Sequence, residues 1–490
     1  MKQLGVLDSA FINLEMPNTP QHIGGLGIYD QSTAPGGAVR FRDVIANFER
    51  RLNSVPLFRT RVVHVPGKID RPYWVEDPNF DVEFHLRHIA LPAPGDWRQL
   101  WIQAARLHAR PLDMSRPLWE AYIIEGLDNI PDVPKGAFAI YTKMHHALVD
   151  GAGGQAFMMA LHDLAADVDD APPIEDTAVS VDRQPGSAEL LARAAVNRTK
   201  NSLGLIRGTA GVIRDMAGHQ LKVIRKEIPP ADINAPQTRF NNPVGPHRVA
   251  EAAVFQLDDF KTIKNAAGIT INDVALSVVG GAMRKYLQHH DELPAESLAA
   301  GIPINMRNKR EATDENNQVG SMYCAIHTDI EDPLERLKAV HDSANDAKIS
   351  NEENPLVDAL KVAGAFSPAL SQTAAELYSN RQLSRFVPAN ISTVISNVPG
   401  PNFPLYSAGA KMVRYHAMGL LTPGCGVFHL VYSCNGLITV TLLADRDIIP
   451  DPAFYRECLE ASFAETLKAT RKTRKPRKKT ATRAKKARAA

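Results

Sequence analysis

The sequence predicts an α/β protein of two similar-sized domains, and three observations carry that reading. The chain has 490 residues, beyond the roughly 250–300 at which a single hydrophobic core stops growing. Apolar residues recur at both strand and helix spacing on either side of an acidic, proline-bearing stretch. Near the C-terminus two apolar runs flank Asn435-Gly436, a pair that favours a tight hairpin turn. A composition of 44% hydrophobic and 22% charged residues is that of an ordinary globular protein and excludes wholesale disorder, collagen-like repeats and a small disulfide scaffold.

Taken in order, residues 1–165 read as the first domain. Helical spacing covers Arg98 to Arg110 and Gly154 to Ala165, and strand patterns cover Ala121 to Glu125 and Ala137 to Lys143. Residues 166–247 read as a connector in three parts. Asp167 to Ser187 is acidic and carries prolines, as a loop does, and Ala188 to Ile228 is proline-free with helical spacing and a net charge of +5. That basic stretch is either a crossover packed on the body or an amphipathic surface for anionic lipid. Pro229 to Pro246 is again loop-like. Residues 248–467 read as a second α/β domain, with strands at Ala252 to Leu257 and Ile391 to Ser396 and helices at Asn272 to His289 and Leu334 to Ala347. Tyr415 to Ala444 lacks Asp, Glu, Lys and Arg and is long enough to span a bilayer. Its internal glycines, Pro423 and Asn435 instead predict two buried strands, Val427 to Ser433 and Leu437 to Ala444.

The net charge of +2 averages two unlike parts. From Lys468 to Ala490 there are twelve Lys/Arg and no Asp/Glu, so the first 467 residues carry −10. Residues 468–490 are expected to form a basic, disordered tail, either merely solvated or drawn to an anionic membrane or lipid-inclusion surface. No nucleic-acid partner is expected, because the body offers no recognisable aromatic or basic platform. Four cysteines without a CxxC pair fit a reducing compartment. Asp8 and Glu15 interrupt what would be a secretory leader, so a cytoplasmic location is expected.

The segment that carries chemistry is Ala137 to Gly154, AFAIYTKMHHALVDGAGG. An apolar strand ends in two adjacent histidines, and an Asp-Gly pair follows before a helix, a place where polar groups are held on a rigid frame. Adjacent residues in an extended chain point to opposite faces, so one of His145 and His146 is expected to face a cleft and the other the interior. A neutral imidazole can take a proton from an attacking alcohol, and Asp150 could fix the ring or the loop; the alternative is a pair of structural histidines. No metal site is expected, since HExxH is absent and no third ligand is placed by spacing. GxSxG is absent, GAGGQA lies too far beyond the strand for a dinucleotide loop, and Cys425 with His429 reads as buried packing rather than as nucleophile and base.

The HHxxxDG motif at His145 to Gly151, Pro117-Leu118-Trp119, Asn272-Asp273 opening a helix, and Ser396-Asn397-Val398-Pro399-Gly400-Pro401 together resemble the bacterial wax ester synthase/acyl-CoA:diacylglycerol acyltransferase family. LGVLDSAFINLE, TPQHIGGL, HIALPAPG and RPLWEAYIIEGL extend the resemblance to about residue 465. It implies two chloramphenicol-acetyltransferase-like domains joined by a long helical connector, with an active-site channel between them. The implied reaction moves a long-chain acyl group from acyl-CoA to diacylglycerol or to a long-chain alcohol. No cofactor is required, because acyl-CoA is itself a substrate and its thioester is already activated.

In that reading His146 is the general base, His145 a positioning residue, Asp150 orders the loop and Gly151 permits its turn. Asn272 or backbone amides stabilise the oxyanion. Pro117, Leu118 and Trp119 either line the acyl channel or pack the core, and Ser396 and Asn397 either touch substrate or shape the domain junction. The same fold acting on another acceptor, or a lipid-inclusion surface protein with a vestigial site, are the competing readings.

Overall fold

In the computed structural model the described residues are 1–149, 151–167, 183–197, 235–305, 319–352 and 391–473, with short stretches between 214 and 228 and between 368 and 377. The first half contributes β1 (Lys2–Gln3), α1 (Val6–Asn13), β2 (His22–Asp30), α2 (Phe41–Leu52), β3 (Thr60–Val63), β4 (Tyr73–Glu76), α3 (Val82–His85), β5 (Leu86–Ala90), α4 (Trp97–Ala109), β6 (Trp119–Glu125), β7 (Phe138–His145) and α5 (Gly151–Ala160). The second contributes β8 (Arg248–Gln256), α6 (Leu257–Ala267), α7 (Ile271–His289), β9 (Ala299–Asn305), β10 (Val319–Ala325), α8 (Pro333–Glu352) and β11 (Thr393–Pro399). It continues with β12 (Tyr406–Ser407), β13 (Ala410–Met418), β14 (Val427–Cys434), β15 (Leu437–Asp445) and α9 (Pro452–Thr473).

Among the described residues these strands form two six-stranded mixed sheets, ordered β12-β13-β2-β7-β6-β5 and β10-β9-β11-β14-β15-β8, and a small sheet β1-β4-β3. The hairpin forms as the Asn-Gly pair predicts: β14 and β15 pair antiparallel, and Asn435 and Gly436 take φ of 49° and 77°, the left-handed pair of a type I′ turn. Alternation along β14 explains why the run is uncharged. Phe428, Leu430 and Tyr432 enter the core shared with the first sheet, while Val427 and Val431 enter the core beneath α6, α7, α8 and α9. Burial on both faces leaves no position for a charge.

Three boundaries differ from expectation. Residues 406–418, assigned by sequence to the second domain, complete the first sheet: β13 pairs antiparallel with β2, Arg414 opposite Ile28 and Met418 opposite Gly24. Glycine in β2 admits this crossing, since a Cβ on Gly25 would lie 2.0 Å from the Tyr415 hydroxyl. The tail does not begin at 468. Helix α9 runs on to Thr473, its last turns held to the body by the buried Thr470 and by Arg471, which reaches Asp259 on α6 at 2.8 Å. Helix α5 starts at Gly151 rather than Gly154 and ends at Ala160. Of the connector, 187–197 are helical, and most of its remaining residues, like 474–490, lie outside the described residues. No single helix among the described residues is long and apolar enough to cross a membrane.

Candidate active site

Strand β7 delivers the two histidines. It lies between β2 and β6, with His22 opposite His145 and Trp119 opposite Met144. Tyr141, Lys143 and His145 share one face by alternation, the face on which α4 packs. His145 is completely buried, whereas His146, at the turn that follows, is half-buried. The pair therefore divides into an interior and an outward member.

Each is fixed by local contacts. The His145 N–H donates to the Leu118 carbonyl at 2.9 Å, and its Nδ1 accepts the Ala147 N–H at 3.0 Å. That acceptor role leaves the ring proton on Nε2, which faces the Glu15 carboxylate at 3.4 Å. Glu15 also accepts the N–H of Gln21, and the Gln21 carbonyl accepts the His146 N–H at 2.8 Å. The His146 ring stacks on Phe11 of α1, with centroids 4.1 Å apart and an interplanar angle of 18°. One short segment, Phe11 to Gln21, thus clamps both histidines.

Beneath them runs a buried polar chain. His108 of α4 donates from Nε2 to the Gly419 carbonyl at 2.8 Å and accepts the Tyr141 hydroxyl at Nδ1, 2.7 Å away. Burial pushes its pKa down to about 3 and holds His22 well below the usual imidazole value, so both are neutral. The Lys143 ammonium is also pushed down by burial, against the pull of Glu120 at 3.5 Å, and donates to the carbonyls of Leu107 and Arg110.

The other sequence-predicted residues fall into two groups. Pro117, Leu118 and Trp119 are buried in the core; the Trp119 indole N–H donates to the Phe58 carbonyl at 2.8 Å and its ring stacks on His85 at 4.6 Å. Their observed contacts are packing and, through the Leu118 carbonyl, support of His145, which accounts for them without an opening to a channel. Asn272 and Asn397 meet each other, the Asn397 amide donating to Asn272 Oδ1 at 3.3 Å. Ser396 is half-buried beside them on β11. Next to Asn272, Asp273 is fully buried and caps α7: it accepts the Thr270 N–H at 3.0 Å and lies 2.8 Å from His341 Nδ1. Gly151 opens α5, and Asp150 lies outside the described residues.

Cys425 and His429 do not form a nucleophilic pair. His429 is buried between Thr393 and the Tyr455 hydroxyl at 2.9 and 2.7 Å, and burial pushes the Cys425 thiol up to about 12. All four cysteines are buried and free. Phe11, Glu15 and Gln21 were not singled out as site residues by sequence reading, since Glu15 registers there only as a charge in the N-terminal segment.

Residues 4–275 match the wax ester synthase/diacylglycerol acyltransferase catalytic domain, and residues 316–466 match the C-terminal domain of the same family. A putative diacylglycerol O-acyltransferase of Mycobacterium tuberculosis is 32% identical over 469 residues, covering 94% of this chain and 99% of its own. The O-acyltransferase WSD of Acinetobacter baylyi is 31% identical over 458 residues, covering 92% and 93%. The solved wax ester synthase/diacylglycerol acyltransferase of Marinobacter aquaeolei superposes with a TM-score of 0.66 at 26% identity, covering 96% of this chain and all of that one. The paired α/β halves are therefore a shared architecture.

Proposed function

The chain belongs to the wax ester synthase/diacylglycerol acyltransferase family, and from that premise we propose that it transfers a long-chain acyl group from acyl-CoA to the hydroxyl of diacylglycerol or of a long-chain alcohol. The observation that carries the assignment of roles is the division of the histidine pair, with His145 sealed in and His146 half-exposed at the end of β7. His146 takes the proton from the acceptor hydroxyl as its oxygen attacks the thioester carbonyl. The C–S bond then breaks, and the imidazolium returns the proton to the departing thiolate. General-base help of this kind contributes typically 10² to 10⁴-fold.

His145 acts as a positioning residue. Its Nε2–H is directed at Glu15, which holds Gln21 and through it the His146 backbone. In this reading Asp150 orders the loop of the motif and Gly151 permits its turn. With Oδ1 of Asn272 taken up by Asn397, the Asn272 amide N–H₂ is the side-chain donor for the oxyanion, and Ser396 and Asn397 border the junction of the halves. No cofactor is needed, as the thioester supplies the activated acyl group. The nine basic residues of 474–490 serve location at an anionic membrane or inclusion surface.

The test is one assay: purified protein with labelled palmitoyl-CoA and diacylglycerol, hexadecanol or no acceptor, beside His146→Ala and His145→Ala. Acceptor-dependent release of coenzyme A is expected, with His146→Ala the more damaged variant. Release without acceptor dependence would refute the transferase reading, and the reverse order of the two variants would refute the division of roles.

A further inference from the structure

The segment Glu15 to Gln21, whose base clamps both histidines, is closed on itself at its tip. The Thr19 N–H donates to the Met16 carbonyl at 3.1 Å, so the chain reverses over Pro17 and Asn18 as a β-turn, with proline at the position whose φ it pre-sets. The Gln21 side-chain amide donates to the Thr19 carbonyl at 2.8 Å and ties the returning limb to that turn. Asn18 stands three residues from Gln21, whose carbonyl holds the His146 N–H at 2.8 Å, and three residues span at most about 11 Å. A displacement of the tip therefore reaches His146 through a short, hydrogen-bonded lever.

The tip is held from the other half of the molecule. Arg248, the first residue of β8, donates from Nη2 to the Asn18 carbonyl. Its Nη1 is occupied by its own chain, donating to the carbonyls of Gly245 and His247 at 2.7 and 3.2 Å. Across the second sheet it stands opposite Asp445, whose carboxylate lies 3.8 Å away and accepts the N–H groups of Gly245 and Asp447 at 2.7 and 2.8 Å. The two side chains are 3% and 2% exposed, and burial pushes the Arg248 pKa down to about 10 against the pull of Asp445. A buried ion pair adds little net stability, and well-packed apolar residues of similar volume often serve as well. What an apolar pair does not supply is a fixed donor aimed across the junction at Asn18.

We propose that Arg248, oriented by Asp445, is a positioning residue for His146: it anchors the Glu15–Gln21 loop to the second half, so that the base is aligned only when the two halves are docked. The carbonyls of Gly245 and His247 fix the plane of the guanidinium, and its rigid fork directs Nη2 at Asn18, which a single lysine ammonium does not reproduce. Arg248 acts through the loop and not on the reacting atoms. The assignment rests on the reading of His146 as the general base, and hydrogen exchange gives it a readout independent of turnover.

Compare the full chain with Arg248→Met, Arg248→Lys, His146→Ala and the double variant Arg248→Met/His146→Ala, measuring kcat, KM for palmitoyl-CoA and for hexadecanol, and deuterium uptake by mass spectrometry. Loss of a hydrogen bond from a charged donor predicts that Arg248→Met lowers kcat about tenfold or more, with both KM values within about twofold and faster exchange over 15–21 and at 146. In the His146→Ala background the same change should leave the residual rate unaltered, because no base remains to be aligned. Arg248→Lys keeps a cation opposite Asp445 and decides the matter if the methionine variant does not fold; it should lose kcat by about tenfold at a near wild-type Tm. Wild-type kcat in the Arg248 variants overturns the proposal, as does an equal fractional loss with and without His146, which marks a merely structural contact. Unchanged uptake over 15–21 overturns it whatever the activity. Full activity in His146→Ala refutes the general-base reading and the proposal with it, whereas a damaged His146→Ala beside undamaged Arg248 variants strikes the proposal alone.

Discussion

Replacing Glu15 tests whether His146 is positioned through the backbone. In the native protein the Glu15 carboxylate accepts the Gln21 N–H and faces His145 Nε2 at 3.4 Å, while the Gln21 carbonyl holds the His146 N–H at 2.8 Å. A hydrogen bond to a charged group contributes about 1.5–3 kcal/mol. If that energy serves to hold the base in place, its loss in Glu15→Ala lowers kcat by about 10- to 150-fold, at 1.36 kcal/mol per factor of ten. Glu15→Gln keeps an acceptor oxygen for Gln21 but no charge. A neutral hydrogen bond contributes about 0.5–1.5 kcal/mol, so an intermediate loss is expected. Coenzyme A release measured at saturating acceptor gives kcat, and thermal unfolding monitors the fold. The reasoning fails if Glu15→Ala keeps wild-type kcat, or if Glu15→Gln is as damaged as the alanine variant.

Two further outcomes follow from the charges. His22, His108, His162, His416 and His429 are buried, and burial lowers each pKa, to about 3 for His108, His416 and His429 and about 4 for His162. The unfolded chain takes up protons below about pH 6.5 while these folded imidazoles stay neutral, so their contribution is complete above 6.5 and is lost as pH falls toward about 3; the unfolding free energy from urea titrations should drop by at most about 1.4 kcal/mol per imidazole per pH unit over that window. Deleting residues 474–490 removes nine of the twelve basic residues beyond 467 and should reduce salt-sensitive binding to anionic vesicles in flotation assays, with turnover on dispersed substrate unchanged.

The sequence made local structure legible where periodicity and turn chemistry are local. Strand β7, helices α4 and α7, and the β14–β15 hairpin stand close to where apolar spacing and Asn435-Gly436 put them. Partner choice across the chain was not legible. Nothing in AKMVRYHAM announces that β13 pairs with β2 some 390 residues earlier, because a strand pattern specifies a face and not a neighbour. Helix starts rich in glycine mislead for a related reason: GAGG has poor intrinsic propensity, and tertiary packing decides where α5 begins. The histidine motif was readable as a candidate pair, and strand alternation predicted one interior and one outward member without saying which was which. Glu15 and Phe11 reach the histidines through space from the N-terminal segment, where spacing carries no such signal.

The placement of β13 has a bearing on how the chain comes to its native form during synthesis. Until residues 410–418 leave the ribosome, β2 has β7 on one side and an open edge on the other, with Gly25 and Gly27 offering little side-chain cover. An unpaired strand edge is a template for pairing with other chains, and long-range pairing forms slowly. Completion of the first sheet is therefore tied to translation of the second half, so the histidine-bearing half cannot close its first sheet as an independent unit. An insertion between β11 and β13 would disturb the first half more than its position in the sequence suggests.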